Sequence, residues 1–115
     1  LRYHGMSPML SHLVHNGHME PRAYGQKECL EAGIQFARTE GIMPAPEATH
    51  AIKGAVDEAL KCKAEGKSKA ILFNLCGHGH FDMQAYMDYF SGNLAEDKFD
   101  TEAFEESMAS IPAVN

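Results

Sequence analysis

The sequence predicts an α/β fold: a helix-rich, partial three-layer unit with a short parallel sheet of two or three strands. Segments with helical spacing of apolar residues alternate with short apolar runs typical of strands, which is the order expected when right-handed crossovers join parallel strands. The length of 115 residues suits one domain, and the 44% of hydrophobic residues suffice for a core.

Two helices and a weak strand are predicted in the N-terminal part. Residues 6–17 predict a short helix, with a proline in its first position and a glycine at its end. Residues 19–25 are a weak strand candidate. A longer helix is predicted from Gln26 to Glu40, because its apolar residues recur at helical spacing and Gly41 provides a left-handed stop.

A proline-rich connection separates this helix from the longest one. Residues 42–43 form at most a very short strand, because Pro44 and Pro46 lack backbone donors and impose extended geometry on their neighbours. A helix is predicted from Glu47 to about Glu65, with Gly66 as its terminator.

The strongest predicted strand runs from Lys69 to Leu75, an almost continuous apolar stretch typical of a strand buried on both faces of a parallel sheet. A glycine-rich turn, Cys76–His80, follows at once. A helix is predicted from about Asp82 to Phe90, and a weaker one from Thr101 to Met108. No internal repeat is visible, so the sequence gives no support to a solenoid.

The charge of the chain divides it into two parts. Residues 1–92 carry nine Lys or Arg and ten Asp or Glu, whereas residues 93–115 carry one and six, so the net charge of −6 belongs mainly to an acidic tail. With a pI near 5.6 and no basic stripe, the chain is not typical of nucleic-acid-binding proteins. No apolar run approaches the roughly 18 residues of a membrane span.

The cysteines indicate a reducing compartment. Cys29, Cys62 and Cys76 are odd in number, widely spaced and without a C-x-x-C pair, which predicts free thiols in a cytoplasmic protein. The chain begins at Leu1 without a signal peptide, and we expect a processed or truncated start.

The turn Cys76–His80 and the residue Glu47 are the main candidates for chemistry. A Gly-x-Gly turn between a buried strand and a helix lets backbone amides approach a ligand, but the dinucleotide and ATP fingerprints are incomplete here. A nearby histidine could activate Cys76, although cysteines that end strands are more often inert. Glu47 follows a stiff turn at a helix start, where it either acts on a ligand or only offsets the helix dipole.

Histidines offer a weaker reading as metal ligands. His12, His15 and His18 recur every third residue, and His78 and His80 flank Gly79. One interpretation is a histidine-rich metal carrier that uses His12, His15, His78 and His80. The alternative is that these histidines only belong to a polar helix face and a tight turn.

Three motifs carry a resemblance to a known family: LRYHG at residues 1–5, FARTEGIMPAPEATHAI at residues 36–52 and LFNLCGHGHFD at residues 72–82. Together they resemble the C-terminal part of the tryptophan synthase β chain, in its second, longer type. The resemblance implies a fold type II pyridoxal phosphate enzyme that condenses indole with L-serine to give tryptophan and water. It extends to about Leu94.

The resemblance also implies roles for individual residues. Glu47 matches a glutamate beside the cofactor ring that handles protons and closes the substrate pocket. Cys76 stands in place of a serine that contacts the pyridine nitrogen of pyridoxal 5'-phosphate, and Gly77 and His78 continue that cofactor-binding turn. The carbonyls of Tyr3 and Gly5 fall on a loop that binds a monovalent cation.

The family's Schiff-base lysine and phosphate cup match no segment of these 115 residues. We therefore expect residues 1–92 to be the C-terminal portion of a β-like catalytic domain, inactive alone, and residues 93–115 to be an acidic tail. The expected partners are the remainder of the β chain, a second copy and a tryptophan synthase α chain. The alternative is a non-catalytic assembly module that pairs with another chain.

Overall fold

The computed structural model describes residues 6–94 and 101–111. Within them the chain is helix-rich. The helices are α1 (Pro8–His15), α2 (Gln26–Glu40), α3 (Pro46–Ala64), α4 (Met83–Phe90) and α5 (Thr101–Ala109), with a single 3₁₀ turn, Gly79–Phe81, before α4. None of the described helices combines the length and apolarity that a membrane span requires.

The helices predicted from sequence are confirmed to within one or two residues. Their glycine stops are confirmed as well, because Gly17, Gly41 and Gly66 all have positive φ angles. Asp82 precedes α4 as predicted, although its side chain makes no capping hydrogen bond.

Helices α2, α3 and α4 enclose the core. Leu30 and Ile34 of α2 pack with Tyr86 of α4, and Met43 closes the cluster beside them. Helix α2 approaches its neighbours closely at Gly33, because a Cβ there would lie 2.5 Å from the Cγ2 of Thr49 in α3 and 3.3 Å from the hydroxyl of Tyr86. A glycine in mid-helix thus brings the three helices together.

The predicted strands are not formed within residues 6–94 and 101–111. Residues 19–25, 42–43 and 69–75 have no ladder partner there, and the pairing that does occur is a single antiparallel bridge between Pro44 and His78. Apolar patterning alone does not make a strand, because a strand also needs a neighbouring backbone to satisfy its donors and acceptors.

Residues 69–75 lie on the surface instead of in a core. Leu72 is 97% exposed, while Phe73 packs edge-on against Phe36 of α2 with ring centroids 5.9 Å apart. Lys69 adds an ion pair to Glu58 of α3 at 3.6 Å. The burial predicted for this segment is therefore wrong for the described part of the chain.

Candidate functional site

The structure brings the proline-rich connection against the glycine-rich turn. The amide of Gly79 donates to the carbonyl of Met43 at 2.9 Å, and Pro44 and His78 form the antiparallel bridge. At Gly79 a Cβ would lie 2.5 Å from the carbonyl oxygen of Pro44. Two segments more than 30 residues apart in the sequence are thus in backbone contact.

Gly77 shapes the turn at the point where it faces this connection. Its φ of +71° is in the left-handed region that favours glycine, and an added Cβ would lie 3.2 Å from the Cβ of Ala45. The turn therefore presents bare backbone at Gly77, next to the exposed thiol of Cys76.

Glu47 lies in the first turn of α3, two residues beyond Ala45. Ala45 caps the helix without a side-chain hydrogen bond, and Pro46 occupies the first helical position. A carboxylate in this turn interacts favourably with the positive end of the helix dipole. Glu47 is exposed, so its carboxylate is accessible to a ligand.

His78 folds over its own turn. Its Nδ1 accepts a hydrogen bond from the amide of His80 at 3.3 Å, and its ring centroid lies 5.0 Å from that of His80 and 5.3 Å from that of Phe81. These contacts order an exposed aromatic cluster at the start of the 3₁₀ turn.

Tyr86 connects the whole arrangement and was not predicted from sequence as a site residue. Its side chain is 1% exposed, and its hydroxyl donates to the carbonyl of Pro44 at 2.6 Å. Burial, with smaller contributions from the negative charges of Asp82 and Glu47, raises the pKa of Tyr86 to about 12. The signal for it was Gly33, since a glycine inside an amphipathic helix indicates a close approach by another element.

We expect Tyr86 to titrate above the ordinary range of a tyrosine. Because the native pKa of about 12 exceeds the ordinary value of 10.0, the unfolded chain loses this proton first as the pH rises. The free energy of unfolding should therefore fall between about pH 10 and about pH 12 and be unaffected by this group below that range. Alkaline titration of the tyrosinate absorbance checks this, and Tyr86→Phe should remove the late phase. A single phase at the ordinary value would contradict it.

The remaining predicted ligands are not brought together. His12 and His15 lie on exposed α1, where Nδ2 of Asn16 is 2.9 Å from Nε2 of His12. Among residues 6–94 and 101–111, no three His, Cys, Asp or Glu side chains are placed to hold a metal ion. Tyr3 and Gly5, predicted to bind a monovalent cation, lie outside the described residues.

Known proteins share most of this sequence. The chain is 63% identical over 94 residues to tryptophan synthase beta chain 2 of Methanosarcina mazei, a match that covers 82% of this chain and 21% of that protein. The chain is homologous to tryptophan synthase β chains. The match falls on the C-terminal part of those β chains, where the sequence motifs placed it.

Two further β chains are similar to this chain over most of its length. Tryptophan synthase beta chain 2 of Aquifex aeolicus is 56% identical over 96 residues, covering 84% of this chain and 22% of its own length. The tryptophan synthase beta chain of Pyrococcus horikoshii is 46% identical over 112 residues, covering 97% of this chain and 24% of its own. The latter match extends beyond Leu94 into the acidic tail.

The chain spans about a fifth of the length of the first β chains it matches. No family model matches the sequence.

Proposed function

We propose that the chain forms one wall of the pyridoxal 5'-phosphate site in an enzyme of the tryptophan synthase β type. The enzyme would join L-serine and indole to give tryptophan and water. The contact between the proline-rich connection and the glycine-rich turn carries this proposal, because Met43 and Pro44, which shortly precede Glu47 in the chain, contact His78 and Gly79 of the turn.

The residues present fit the ring of the cofactor. Gly77 has an exposed backbone that a flat ring could approach, and the thiol of Cys76 is exposed beside it. When bound, pyridoxal phosphate supplies a conjugated ring that withdraws electrons from the α-carbon of the amino acid. We propose that the rest of a β chain supplies the lysine and the phosphate cup.

Cys76 would contact the pyridine nitrogen with a thiol. A thiol is a weaker hydrogen-bond donor and acceptor than the serine hydroxyl it replaces, but like serine it does not hold the nitrogen protonated as a carboxylate would. A less electron-withdrawing ring suits replacement at the β-carbon. His78, whose ring contacts those of His80 and Phe81 at tilted angles, would border the same edge of the cofactor ring.

Glu47 would handle protons. Replacement at the β-carbon first expels the serine hydroxyl as water and then removes a proton from indole, so a carboxylic acid near the reacting atoms can give its proton to the leaving oxygen and regain one from indole. Glu47 is exposed in the first turn of α3, the helix that begins at Pro46.

The predicted parallel sheet belongs to the assembled enzyme in this proposal. Residues 69–75 would be one of its strands, with neighbours from the remainder of the β chain, which would bury Leu72. The proposal has three further parts. A monovalent cation binds to the carbonyls of Tyr3 and Gly5, the chain pairs with a second copy or an α chain, and the enzyme is cytoplasmic.

A chimera tests the proposed function. In the M. mazei β chain, the matching segment would be replaced by this chain, and tryptophan formation from indole and L-serine would be measured together with the absorbance of the bound cofactor. We expect an active, cofactor-containing chimera and an inactive 115-residue chain. A folded chimera that binds the cofactor but forms no tryptophan would contradict the assignment. The M. mazei chain lacking the segment is the control.

The exposure of residues 69–75 favours a second candidate, a non-catalytic module that assembles with another chain. An exposed apolar segment that has no ladder partner within residues 6–94 and 101–111 is a template for pairing. A chimera that folds and sediments as the M. mazei enzyme does, yet has no activity, would favour this candidate.

A further inference from the structure

We propose that Tyr86 is a positioning residue, which sets the place of Glu47 relative to the Cys76–Gly77 turn through its hydrogen bond to Pro44. This inference rests on the proposed function for its catalytic consequence. The tie itself rests only on contacts within the described residues.

The proline-rich connection is anchored through its carbonyl groups. Pro44 and Pro46 have no amide hydrogen, so the connection is held largely through its carbonyl groups. The carbonyl of Met43 accepts from the amide of Gly79 at 2.9 Å, and the carbonyl of Pro44 accepts from the hydroxyl of Tyr86 at 2.6 Å. Two successive carbonyls are thus fixed from two different elements.

Tyr86 itself is held in place by close packing. Its side chain is 1% exposed, and its hydroxyl lies 3.3 Å from the place of a Cβ on Gly33. Its ring atom Cε2 lies 3.1 Å from the place of a Cβ on Gly79. The ring therefore packs between α2 and the glycine-rich turn while its hydroxyl holds the connection.

The position of the connection also determines the position of Glu47. Glu47 follows Pro44 by three residues and lies in the first turn of α3, whose start the connection determines. The negative charge of Glu47 is also a minor contributor, after burial and Asp82, to the raised pKa of Tyr86. A loosened Pro44 would therefore displace the start of α3 and the carboxylate with it.

The first test uses Tyr86→Phe in the 115-residue chain, which keeps the ring and removes only the hydroxyl. Amide hydrogen exchange of Gly79 should accelerate by roughly fivefold to tenfold, since one buried hydrogen bond beside it is lost. The amide of Gly41, which bonds Ala37 at the end of α2, should be unaffected. Tyr89→Phe on the same helix is the matched control. If the variant chain does not fold, the same amides are measured in the chimera.

The second test measures catalysis in the chimera. We expect Tyr86→Phe to lower kcat by roughly 10- to 100-fold with little change in the KM for L-serine, because a misplaced catalytic group costs rate more than binding. Ile52→Val, a change at a buried position of α3 that lowers stability, should leave kcat unchanged.

The outcomes separate the two proposals. An inactive chimera with intact Tyr86 sinks the proposed function, while the exchange experiment still tests the tie. An active chimera whose kcat survives Tyr86→Phe, or falls as much with Ile52→Val, overturns the positioning role. Unchanged exchange at Gly79 overturns the tie itself.

Discussion

Replacing Glu47 by glutamine is expected to lower tryptophan formation in the chimera by roughly 10²- to 10⁴-fold, the usual contribution of a positioned acid–base group. Glutamine keeps the size and polarity of the side chain but neither accepts nor releases a proton at working pH. Steady-state rates with indole and L-serine measure the effect.

The same change should barely affect folding. A first-turn carboxylate contributes about 0.3–1 kcal/mol through the helix dipole, so the free energy of unfolding should fall by no more than that. Glu31→Gln, on the exposed face of α2, is the matched control and should be silent in both assays. A Glu47→Gln chimera with undiminished kcat would remove Glu47 from the mechanism and leave it with dipole compensation alone.

Replacing Gly79 by alanine is expected to give the largest loss of stability, about 3 kcal/mol, at the upper end of the range for an overpacked site. The added Cβ would meet the carbonyl oxygen of Pro44 at 2.5 Å and the Cγ of Met43 at 2.8 Å. A backbone atom cannot rotate away as a side chain can, so the turn and the connection must separate. Urea denaturation of the 115-residue chain measures the change.

Gly54→Ala is the control for this variant. Gly54 lies inside α3, where a Cβ would meet only the hydroxyl of Tyr24, at an ordinary 3.6 Å, and its Cε2 at 3.8 Å. Alanine has the higher helix propensity, so stability should rise by up to about 1 kcal/mol. Equal losses in the two variants would mean that the contact of Gly79 with Pro44 contributes little.

The helices could be predicted from sequence because their signals are local. The stop at Gly41 and the apolar spacing in α2 each depend on neighbours in the chain, and the structure confirms both, while α3 begins at Pro46, one residue earlier than predicted. The sheet could not be confirmed in the same way, since a strand is completed by a backbone that the pattern of residues 69–75 does not specify.

The site shows the same division. The unusual settings of Glu47 and Cys76 could be recognised from their own motifs. That the two segments touch, however, depends on Tyr86, Gly33 and Gly79, whose roles arise from packing across three elements. Tyr86 was predicted only as part of a helix, because one tyrosine in an apolar stripe gives no sign of which carbonyl its hydroxyl will reach.

The exposure of residues 69–75 has a consequence for handling the chain at high concentration. This segment is rich in β-forming residues. Within it Leu72 is 97% exposed, and Ile71 and Leu75 are 36% and 38% exposed. Segments of this kind recruit copies of themselves into intermolecular sheets, and charge or proline is the usual protection. Between Ala70 and Leu75 the sequence has neither. Residues 70–75 should therefore limit the solubility of this chain, and Leu72→Lys should raise that solubility.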